Sequence, residues 1–420
     1  MIQQLKSDKK SVIAVAATGV AANLLTNGRT AHSMFALPTN EFIDENLRSE
    51  LTIESKCALQ IAKSDIIIWD EIFNSSKYHV QAVDFLLQDI HKNTKHFGGK
   101  TMLFCGDYRQ IPPVISKENK ASIVNASIIY SNYWLMKREL ILLQNMRMND
   151  DIEFSKYLLQ IGNGTTPIYP CIGKEFILLP SEMMIDGESV EDLIEATFGS
   201  DFNNTERLQN SIILTPINVD AEYVNEIIST KIMAESKLYK AIDDLDNPNN
   251  LVHYPLEYLE KETPIGLPPH NLMLKIGMPV ILLRNIDILS GLCNGTRMTI
   301  INLHETFIEC LILTGSHQGT TAFIPKMVTT SNTNELPYKL HRFQLPIRKC
   351  YAMTINKSQG QTFDNVGIYL PQTVFCHGQL YVALSRVRKK QNIKILVTSR
   401  YKLPSGSYTR NVVFPQLIPK

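Results

Sequence analysis

Two adjacent carboxylates, Asp70 and Glu71, follow the apolar run SDIIIW at residues 64–69. In nucleotide-binding proteins the carboxyl edge of a parallel sheet is where ligands bind, so a strand ending in Asp-Glu can present both groups to a phosphate. Hydrolysis of a phosphoanhydride needs a carboxylate that anchors magnesium and a group that orients the attacking water. Asp70 and Glu71 can fill these two roles in that order. The structural alternative is a helix-capping Asp beside a surface Glu.

A second polar cluster lies in the stretch CGDYRQIPPV, residues 105–114, which follows the next apolar strand. It predicts a loop at the same sheet edge that presents Asp107, Arg109 and Gln110, stiffened by two prolines. The Gln110 amide could contact the γ-phosphate of a nucleotide. Gly-Asp and Pro-Pro are turn formers, which explains the backbone but not the Arg and Gln between them.

Two arginines are candidates for stabilising the charge that develops on a transferred phosphoryl group. Arg147 occurs in LLQNMRM and Arg386 in LYVALSRV, each after an apolar element. The alternative is an ordinary salt-bridging arginine or one at a helix C-terminus. The argument for both therefore depends on the other motifs beside them.

The stretch TINKSQGQTF, residues 354–363, combines Lys357, Ser358 and Gln359 with a glycine that allows close backbone approach. This chemistry suits a phosphodiester or a nucleotide phosphate. A helix start followed by a glycine turn is the alternative interpretation.

The stretch AATGVAANLLTNGRTAHSMF, residues 16–35, places Thr18 and Gly19 at a strand-to-helix turn, where free amides favour a phosphate. His32 and Phe35 follow in a predicted loop on the same side. We expect Phe35 to stack on a base, as aromatic side chains do in proteins that bind single strands.

Apolar strands and helices alternate around these motifs. In the first part of the chain the strands are SVIAVA, SDIIIWD, KTMLFCGD and RELILLQ, with helices at GVAANLL and KYHVQAVDFLLQDIHK. Strands without polar alternation predict a parallel sheet covered on both faces, so residues 1–160 are predicted to form one α/β domain.

A second α/β domain is predicted over residues 161–420. Its strands are NSIILTP, MPVILLRN, DNVGIYL and NIKILV, with helices at NVDAEYVNEIISTKI and HGQLYVALSRV. Short strands separated by Gly, Ser and Asn interrupt this rhythm at residues 303–347. They predict a small all-β insert within the second domain.

Composition limits the class of protein. The chain has 420 residues, 44% of them hydrophobic and 20% charged, which is ordinary for a globular protein of two or three domains. Its seven cysteines form no C-x-x-C pair, so neither a disulfide framework nor a zinc site is indicated. No signal peptide and no membrane span is indicated, which predicts an intracellular protein without a membrane partner.

Charge is unevenly distributed although the net charge is only +1. Residues 182–262 contain 18 acidic and five basic side chains, whereas the last 40 residues contain nine Lys or Arg and no acid. The second segment has the local bias that binding to a polyanion requires, and a solvated tail is the alternative.

Taken in order and spacing, these motifs closely resemble the Pif1-type helicases of superfamily 1B. The resemblance covers nearly the whole chain and includes the following stretches: AATGVAANLLTNGRTAHS, DIIIWDEI, FGGKTMLFCGDYRQIPPV, LLQNMRM, IILTPINVDAEYVNEI, LKIGMPVILLRNIDILSGLCNGTRM, TINKSQGQTFDNVGIYL and QLYVALSRVR. It implies an α/β fold with two RecA-like P-loop NTPase domains and an SH3-like insert at 303–347. It also implies ATP and Mg²⁺ as cofactors.

The resemblance assigns roles to the residues that match the motifs. Asp70 becomes the magnesium ligand and Glu71 the water-orienting base, Gln110 contacts the γ-phosphate, and Gln359 lies at the nucleotide. Arg147 and Arg386 become arginine fingers. The remaining candidates fall in segments that in this family lie at or near the DNA path: Thr18, Gly19, His32, Phe35, Lys357 and Ser358.

One element of the family pattern is missing. Members carry a G-x-x-G-x-G-K-[ST]-like phosphate loop about 25 to 35 residues before the AATG turn, but only 15 residues precede Ala16 here. FGGKT at 97–101 is no substitute, because a strand follows it and a phosphate loop must open a helix. We therefore expect a chain truncated before the loop, inactive alone, with the loop strand beside the DIIIW strand.

The function implied is an ATP-dependent 5′-to-3′ DNA helicase that translocates on single-stranded DNA and acts on duplex or structured DNA. DNA repair, recombination, and telomere or mobile-element maintenance are the roles typical of the family. A monomer in the nucleus is expected, with the mitochondrion as the alternative compartment. A non-catalytic nucleic-acid-binding remnant of a mobile element stays open, as does a superfamily-one RNA helicase.

Overall fold

The computed structural model describes residues 1–38, 43–113, 119–148, 151–246, 254–264, 266–288, 290–331 and 336–419. Val114, at the end of the predicted loop 105–114, lies outside these ranges. Strands and helices are numbered below in chain order. The first parallel sheet has the order β2-β1-β3-β4 and consists of β1 (Val12–Ala16), β2 (Arg29–Thr30), β3 (Ile66–Asp70) and β4 (Thr101–Phe104).

The centre of the first sheet is β3, whose residues 67–69 are buried. It pairs in parallel with β1 on one side and with β4 on the other. Helices accompany this sheet: α1 (Ile2–Ser7), α2 (Gly19–Leu24), α3 (Ala31–Phe35), α4 (Lys56–Lys63), α5 (Lys77–His91), α6 (Lys120–Ala126) and α7 (Asn132–Leu135). The prediction that a phosphate-loop strand lies beside the DIIIW strand is wrong here, because both edges of β3 are already paired.

The predicted strand RELILLQ, residues 138–144, is not a strand in the structure. These residues have no regular secondary structure and their apolar side chains are exposed, with Leu142 96% and Leu143 92% exposed. The outer strands of the first sheet are β2 and β4, and β4 has no second neighbour among the described residues. An apolar segment of this composition normally forms a strand only when another strand hydrogen-bonds to it.

The second parallel sheet has the order β17-β6-β18-β19. Its strands are β6 (Ser211–Thr215), β17 (Ala352–Thr354), β18 (Asn365–Leu370) and β19 (Ile393–Val397), and three of them match the predicted strands. The helices that precede or cover this sheet are α8 (Ile152–Asn163), α9 (Val190–Phe198), α10 (Thr205–Asn210), α11 (Asn218–Lys231) and α13 (Gln379–Leu384).

The predicted boundary at residue 160 falls inside α8. Phe154, Leu158 and Ile161 of this helix are buried in the same cluster as Ile212 and Ile368 of the second sheet. The helix therefore belongs to the second domain. Local periodicity identifies a helix but does not say which of two sheets its apolar face will cover.

The predicted all-β insert at 303–347 is confirmed as antiparallel structure, and it is part of a larger antiparallel region. Its largest sheet has the order β13-β12-β11-β10-β16 and contains β10 (Pro279–Leu282), β11 (Arg297–Leu303), β12 (Phe307–Ile312), β13 (Thr321–Pro325) and β16 (Ile347–Lys349). The stretch MPVILLRN, predicted for the second parallel sheet, supplies β10 of this sheet instead. A short, fully buried strand has the same apolar pattern in either kind of sheet, which explains the error.

The remaining strands form smaller antiparallel sheets. β14 (Met327–Thr330), β15 (Leu340–Gln344) and β8 (Ile242–Leu245) form one sheet, and β7 (Ser236–Lys240) pairs with β9 (Asn271–Lys275). Antiparallel pairing thus begins well before residue 303, the predicted start of the insert. β5 (Phe176–Leu178), β20 (Lys402–Leu403) and β21 (Gly406–Arg410) form a further sheet, and α12 spans Leu256–Leu259.

Within the described ranges, none of the helices combines the length and the apolar character needed to cross a lipid bilayer.

Candidate functional site

The two adjacent carboxylates lie where β3 ends. Asp70 is the last residue of the strand, and its Oδ1 accepts a hydrogen bond from the Glu71 amide at 3.0 Å. Glu71 has a positive φ of 52°, a conformation that costs a non-glycine residue about 1–3 kcal/mol. The turn is held from the next loop, because the Ile72 amide donates to the Cys105 carbonyl at 2.9 Å. The strained turn directs both carboxylates away from the sheet.

Glu71 is in an environment that opposes its ionisation. Burial, together with the neighbouring charges of Asp70 and Asp107, raises its pKa to about 7. Arg386 and Arg147 act in the opposite direction. Burial also raises the pKa of Asp70. A carboxyl group that titrates near neutral pH is suited to accept a proton from water.

Three side-chain amides meet beside the carboxylates. Gln359 Nε2 donates to Asn74 Oδ1 at 3.2 Å and to Gln110 Oε1 at 3.3 Å. These residues come from the turn after β3, from the loop after β4 and from the segment after β17. The structure therefore brings together Gln110 and Gln359, which the sequence placed in separate motifs. Asn74 Nδ2 is buried without a partner, so the amide cluster keeps one unused donor.

The two predicted arginines reach the site from different domains. Arg386 is 2% exposed and donates to the carbonyls of Val382, Ser358 and Gln361 and to the Ser385 hydroxyl. Burial, followed by the charge of Arg147, lowers its pKa to about 10, so the guanidinium stays charged at neutral pH. Arg147 is exposed and donates to the Ser385 carbonyl at 3.3 Å.

Arg386 has no carboxylate within salt-bridge distance among the described residues. A buried cation held only by carbonyl and hydroxyl oxygens is incompletely neutralised, and an anion near it would be stabilised. In this conformation Arg386 acts on Glu71 through its charge, because its own donors are engaged by the backbone of the second domain.

The side chains of this site supply only part of the oxygen ligands that a Mg²⁺ ion requires. No group of three or more His, Cys, Asp or Glu side chains able to hold a metal occurs in the described parts of the chain. Mg²⁺ usually takes one or two protein carboxylates and fills its remaining positions with water and substrate phosphates. Asp70, at the end of β3, fits that pattern as a single ligand that depends on a bound phosphate.

The predicted DNA-side residues Thr18 and Gly19 are occupied by contacts within the protein. Thr18 caps α2, since its Oγ1 accepts from the Ala21 amide at 3.2 Å. A Cβ added at Gly19 would lie 3.0 Å from Cys293 Cβ and 3.1 Å from the Asn294 carbonyl oxygen. The AATG turn therefore packs against the antiparallel region, and its residues 17–19 are half-buried.

The prediction that Phe35 stacks on a base is wrong for this structure. Phe35 has no exposed surface and its ring lies 5.8 Å from that of Trp69 in the core of the first sheet. The segment forms the short helix α3 instead of a loop, and this turns Phe35 inward. His32, on the same helix, is half-buried, and its ring lies 4.9 Å from that of His79.

Lys357 and Ser358 differ in accessibility. Lys357 is exposed, whereas Ser358 is fully buried and its hydroxyl donates to the Ile355 carbonyl at 2.7 Å. The Ser358 carbonyl also accepts a hydrogen bond from Arg386. Ser358 therefore supports the backbone next to the site and is not available for a direct contact with DNA, while Lys357 is.

Sequence reasoning missed two residues that hold the domains together. Asn23 of α2 donates to the Gly291 carbonyl at 3.1 Å and accepts from Cys293 Sγ at 3.4 Å. Asn74 completes the amide cluster described above. Asn23 lies within a motif that the sequence identified and Asn74 two residues after another, but only the tertiary structure shows their partners.

Family models match two parts of the chain. The model of the PIF1-like helicases matches residues 1–169, and that of the 2B domain of the DNA helicase Pif1 matches residues 257–303. The second range lies within the antiparallel region and ends where the predicted insert, 303–347, begins.

Relatives with assigned names have similar sequences over most of this chain. The ATP-dependent DNA helicase PIF1 of Danio rerio is 26% identical over 398 residues, covering 92% of this chain and 54% of the relative. The ATP-dependent DNA helicase Pif1 of Bdellovibrio bacteriovorus is 27% identical over 395 residues, covering 93% of this chain and 79% of the relative. The chain spans about half the length of the vertebrate relatives it matches.

Solved structures share the fold. A Bacteroides Pif1 bound to single-stranded DNA aligns over 100% of this chain and 87% of its own, with a TM-score of 0.66 and 22% identity. A structure of two Pif1 helicases coordinating at forked double-stranded DNA aligns over 100% and 86%, with a TM-score of 0.67 and 23% identity.

The fold is that of a RecA-like α/β protein, with two parallel sheets and an antiparallel region. The fold agrees with the sequence and structure matches described above. The chain belongs to the family of Pif1-like helicases.

Proposed function

We propose that this chain forms the greater part of the motor of an ATP-dependent DNA helicase. The observation that carries the proposal is the convergence of Glu71, Gln110, Arg147 and Arg386 at one cleft between the two parallel sheets. Two of these residues come from the first sheet and its loops, and Arg386 comes from the second domain. A nucleotide bound in such a cleft changes the contact between the domains when it is hydrolysed.

Each residue has a separate task in the proposed reaction. Glu71 orients a water molecule and takes its proton, which its raised pKa allows near neutral pH. Gln110 contacts the γ-phosphate and transmits its presence through Gln359 to the second domain. Arg147 and Arg386 stabilise negative charge that develops on the phosphoryl group. Asp70 would hold Mg²⁺, which when bound would offset the charge of the phosphates.

We extend the proposal to single-stranded DNA as the track, with 5′-to-3′ movement and unwinding of duplex or structured DNA. Support comes from exposed Lys357 beside the cleft and from the nine basic residues after residue 380. The Bacteroides relative was solved with single-stranded DNA bound. Roles in repair, recombination, or telomere or mobile-element maintenance, a monomeric state of the intact protein, and a nuclear or mitochondrial location belong to the same proposal.

The 420 residues contain no G-x-x-x-x-G-K-[ST] sequence. Without backbone amides around the β-phosphate and a lysine at the γ-phosphate, Asp70 holds magnesium only weakly. We therefore propose that the 420-residue chain alone does not hydrolyse ATP. The same observation favours the second candidate function, a non-catalytic protein that binds nucleic acid.

Glu71→Gln tests the assigned base in a chain extended at its N terminus by a strand and a glycine-lysine loop. The amide has the shape of the carboxyl but accepts no proton, so we expect ATP turnover to fall at least about a thousandfold while ATP binding is retained. Turnover and fluorescent-nucleotide binding are measured side by side. Exposed Glu195→Gln is the matched control and should leave both unchanged. Equal turnover in the Glu71 variant and its parent would remove Glu71 from this role.

A further inference from the structure

The loop after β4, which contains Gln110, is hydrogen-bonded to α13, the helix that precedes Arg386. The Tyr381 hydroxyl of α13 donates to Asp107 Oδ2 at 2.6 Å. Asp107 Oδ1 accepts from Arg109 at 3.2 Å, so both carboxylate oxygens are engaged. Burial raises the pKa of Tyr381, which keeps its hydroxyl protonated as a donor. A buried bond to a carboxylate is stronger than one between neutral groups.

A second connection runs through His377, just before α13. Its Nδ1 accepts from the Phe414 amide at 2.9 Å, so the proton of the neutral ring is on Nε2. Nε2 then donates to the Tyr108 carbonyl at 3.0 Å. Burial lowers the pKa of His377, which favours this neutral form. The imidazole therefore bridges the second domain and the loop after β4 with one defined tautomer.

Gly378 brings the two backbones into direct contact. A Cβ at this position would lie 2.3 Å from the Arg109 carbonyl oxygen and 2.8 Å from the Gln110 carbonyl carbon. Its φ of +75° is also one that residues with a side chain rarely adopt. Only glycine permits the start of α13 to touch the backbone of Gln110 itself.

The other end of α13 leads directly to the cations. Ser385 and Arg386 follow the helix, and Arg147 of the first domain donates to the Ser385 carbonyl. A displacement of the Gln110 loop is therefore passed to one end of a six-residue helix whose other end holds Arg386. A helix this short moves as a rigid body, because its backbone hydrogen bonds connect both ends.

We propose that Tyr381, His377 and Gly378 are positioning residues that couple the γ-phosphate contact of Gln110 to the placement of Arg386. The inference rests on the proposed function for its purpose, but the coupling itself is a property of the 420-residue chain. When the loop moves, α13 moves with it, and the arginines approach or leave the cleft together with Gln110.

Hydrogen–deuterium exchange of the 420-residue chain tests the coupling without nucleotide. Tyr381→Phe removes one hydroxyl and keeps the ring. We expect amides of residues 105–113 and of residues 385–388 to exchange about tenfold faster, the effect of losing one charge-assisted hydrogen bond. Tyr408→Phe is the matched control, because it removes a buried tyrosine hydroxyl that bonds only to nearby Ser405 at 3.0 Å. Exchange that is unchanged, or faster only within α13, would overturn the proposal.

Two further variants make the test independent of a single substitution. In a double-mutant cycle, Asp107→Asn and Tyr381→Phe should be non-additive, because both weaken the bond between these two residues, although Asp107→Asn alone also weakens the contact with Arg109. Gly378→Ala should accelerate exchange of residues 105–113 more than Tyr381→Phe does. Gly319→Ala is its control, because Gly319 has a similar φ of +84° and no atom within 4 Å of an added Cβ. Equal effects of the two alanines would show that backbone strain, and not contact with the loop, is responsible.

In a loop-extended chain that hydrolyses ATP, Tyr381→Phe should lower kcat about tenfold while KM for ATP changes less than about twofold. A rise in KM alone would contradict a positioning role. Absence of turnover in the extended parent would instead count against the proposed function, whereas the exchange result would still decide whether the loop and α13 are coupled.

Discussion

The two parallel sheets differ in how their outer edges are closed. In the second sheet, the Asn225 side chain covers the edge of β17 by bonding the Tyr351 and Ala352 amides and the Ala352 carbonyl. At the other edge, Met184 forms an isolated β-bridge with Ile395 of β19, and the Ile185 amide donates to the Ile395 carbonyl. The first sheet has no comparable cover at β4 in the described ranges, and the apolar residues 140–143, further along the chain, are exposed.

This difference shows which features of a sheet its own domain can determine and which depend on a neighbouring strand. A side chain can close the edge of a strand that is already flanked by its own domain, as Asn225 does. An apolar run such as LILL at 140–143 becomes a strand only if another strand bonds to it. The proposed site residues come from both domains, which have these two differently closed sheets.

The largest effect is expected from changing the exposed apolar segment. The 420-residue chain should self-associate, because an open edge and four consecutive exposed apolar residues favour pairing with other chains. The double substitution Leu140→Lys and Leu142→Lys should convert it to a monomer, measured by light scattering after size-exclusion chromatography. Met233→Lys, at an isolated residue that is 90% exposed, is the control and should not change the association. A parent chain that is already monomeric would contradict the comparison.

A smaller effect is expected from opening the closed sheet. Asn225→Ala, in the lysine double-substitution background, leaves two buried amides and a carbonyl without their side-chain partner. We expect a loss of about 2–4 kcal/mol in the free energy of unfolding. Urea titration measures it, with Asn302→Ala as the control, because that exposed residue should change stability by less than about 0.5 kcal/mol. A loss no larger than the control's would mean that Asn225 does not close the edge.

The smallest effect concerns Glu71 in the cleft between the sheets, and it depends on pH. Its folded pKa of about 7 lies above the ordinary value of 4.5, so it contributes stability below pH 4.5 that is lost as pH rises through 7. Glu71→Gln stays neutral, and above pH 7 it should exceed the parent in unfolding free energy by about 1–3 kcal/mol. Thermal unfolding from pH 4 to 9 measures this. A gain that is the same at every pH would show that ionisation is not its cause.

Much of the fold and site could be predicted because the relevant signals are local. Asp70 and Glu71 end a buried strand, and Gln110 follows the next one, so the parallel sheet alone brings them to one edge. Phe35 and Ser358 could not be placed, since whether a short segment turns inward depends on what packs above it. Pro279–Leu282 was assigned to the wrong sheet because complete burial erases the alternation that distinguishes sheet types. The role of Tyr381 could not be predicted from the sequence, because its hydrogen-bond partner, Asp107, is 274 residues away.

The central claim is the proposal that residues of both domains form one ATP-hydrolysing site that works only together with a glycine-lysine phosphate loop. ATP turnover with and without single-stranded DNA tests it most directly, measured on the 420-residue chain and on the chain extended by a strand and a glycine-lysine loop. The extended chain should hydrolyse ATP and be stimulated by DNA, and the 420-residue chain should do neither. Hydrolysis by a monomeric 420-residue chain, or none by a folded extended chain, would contradict the account.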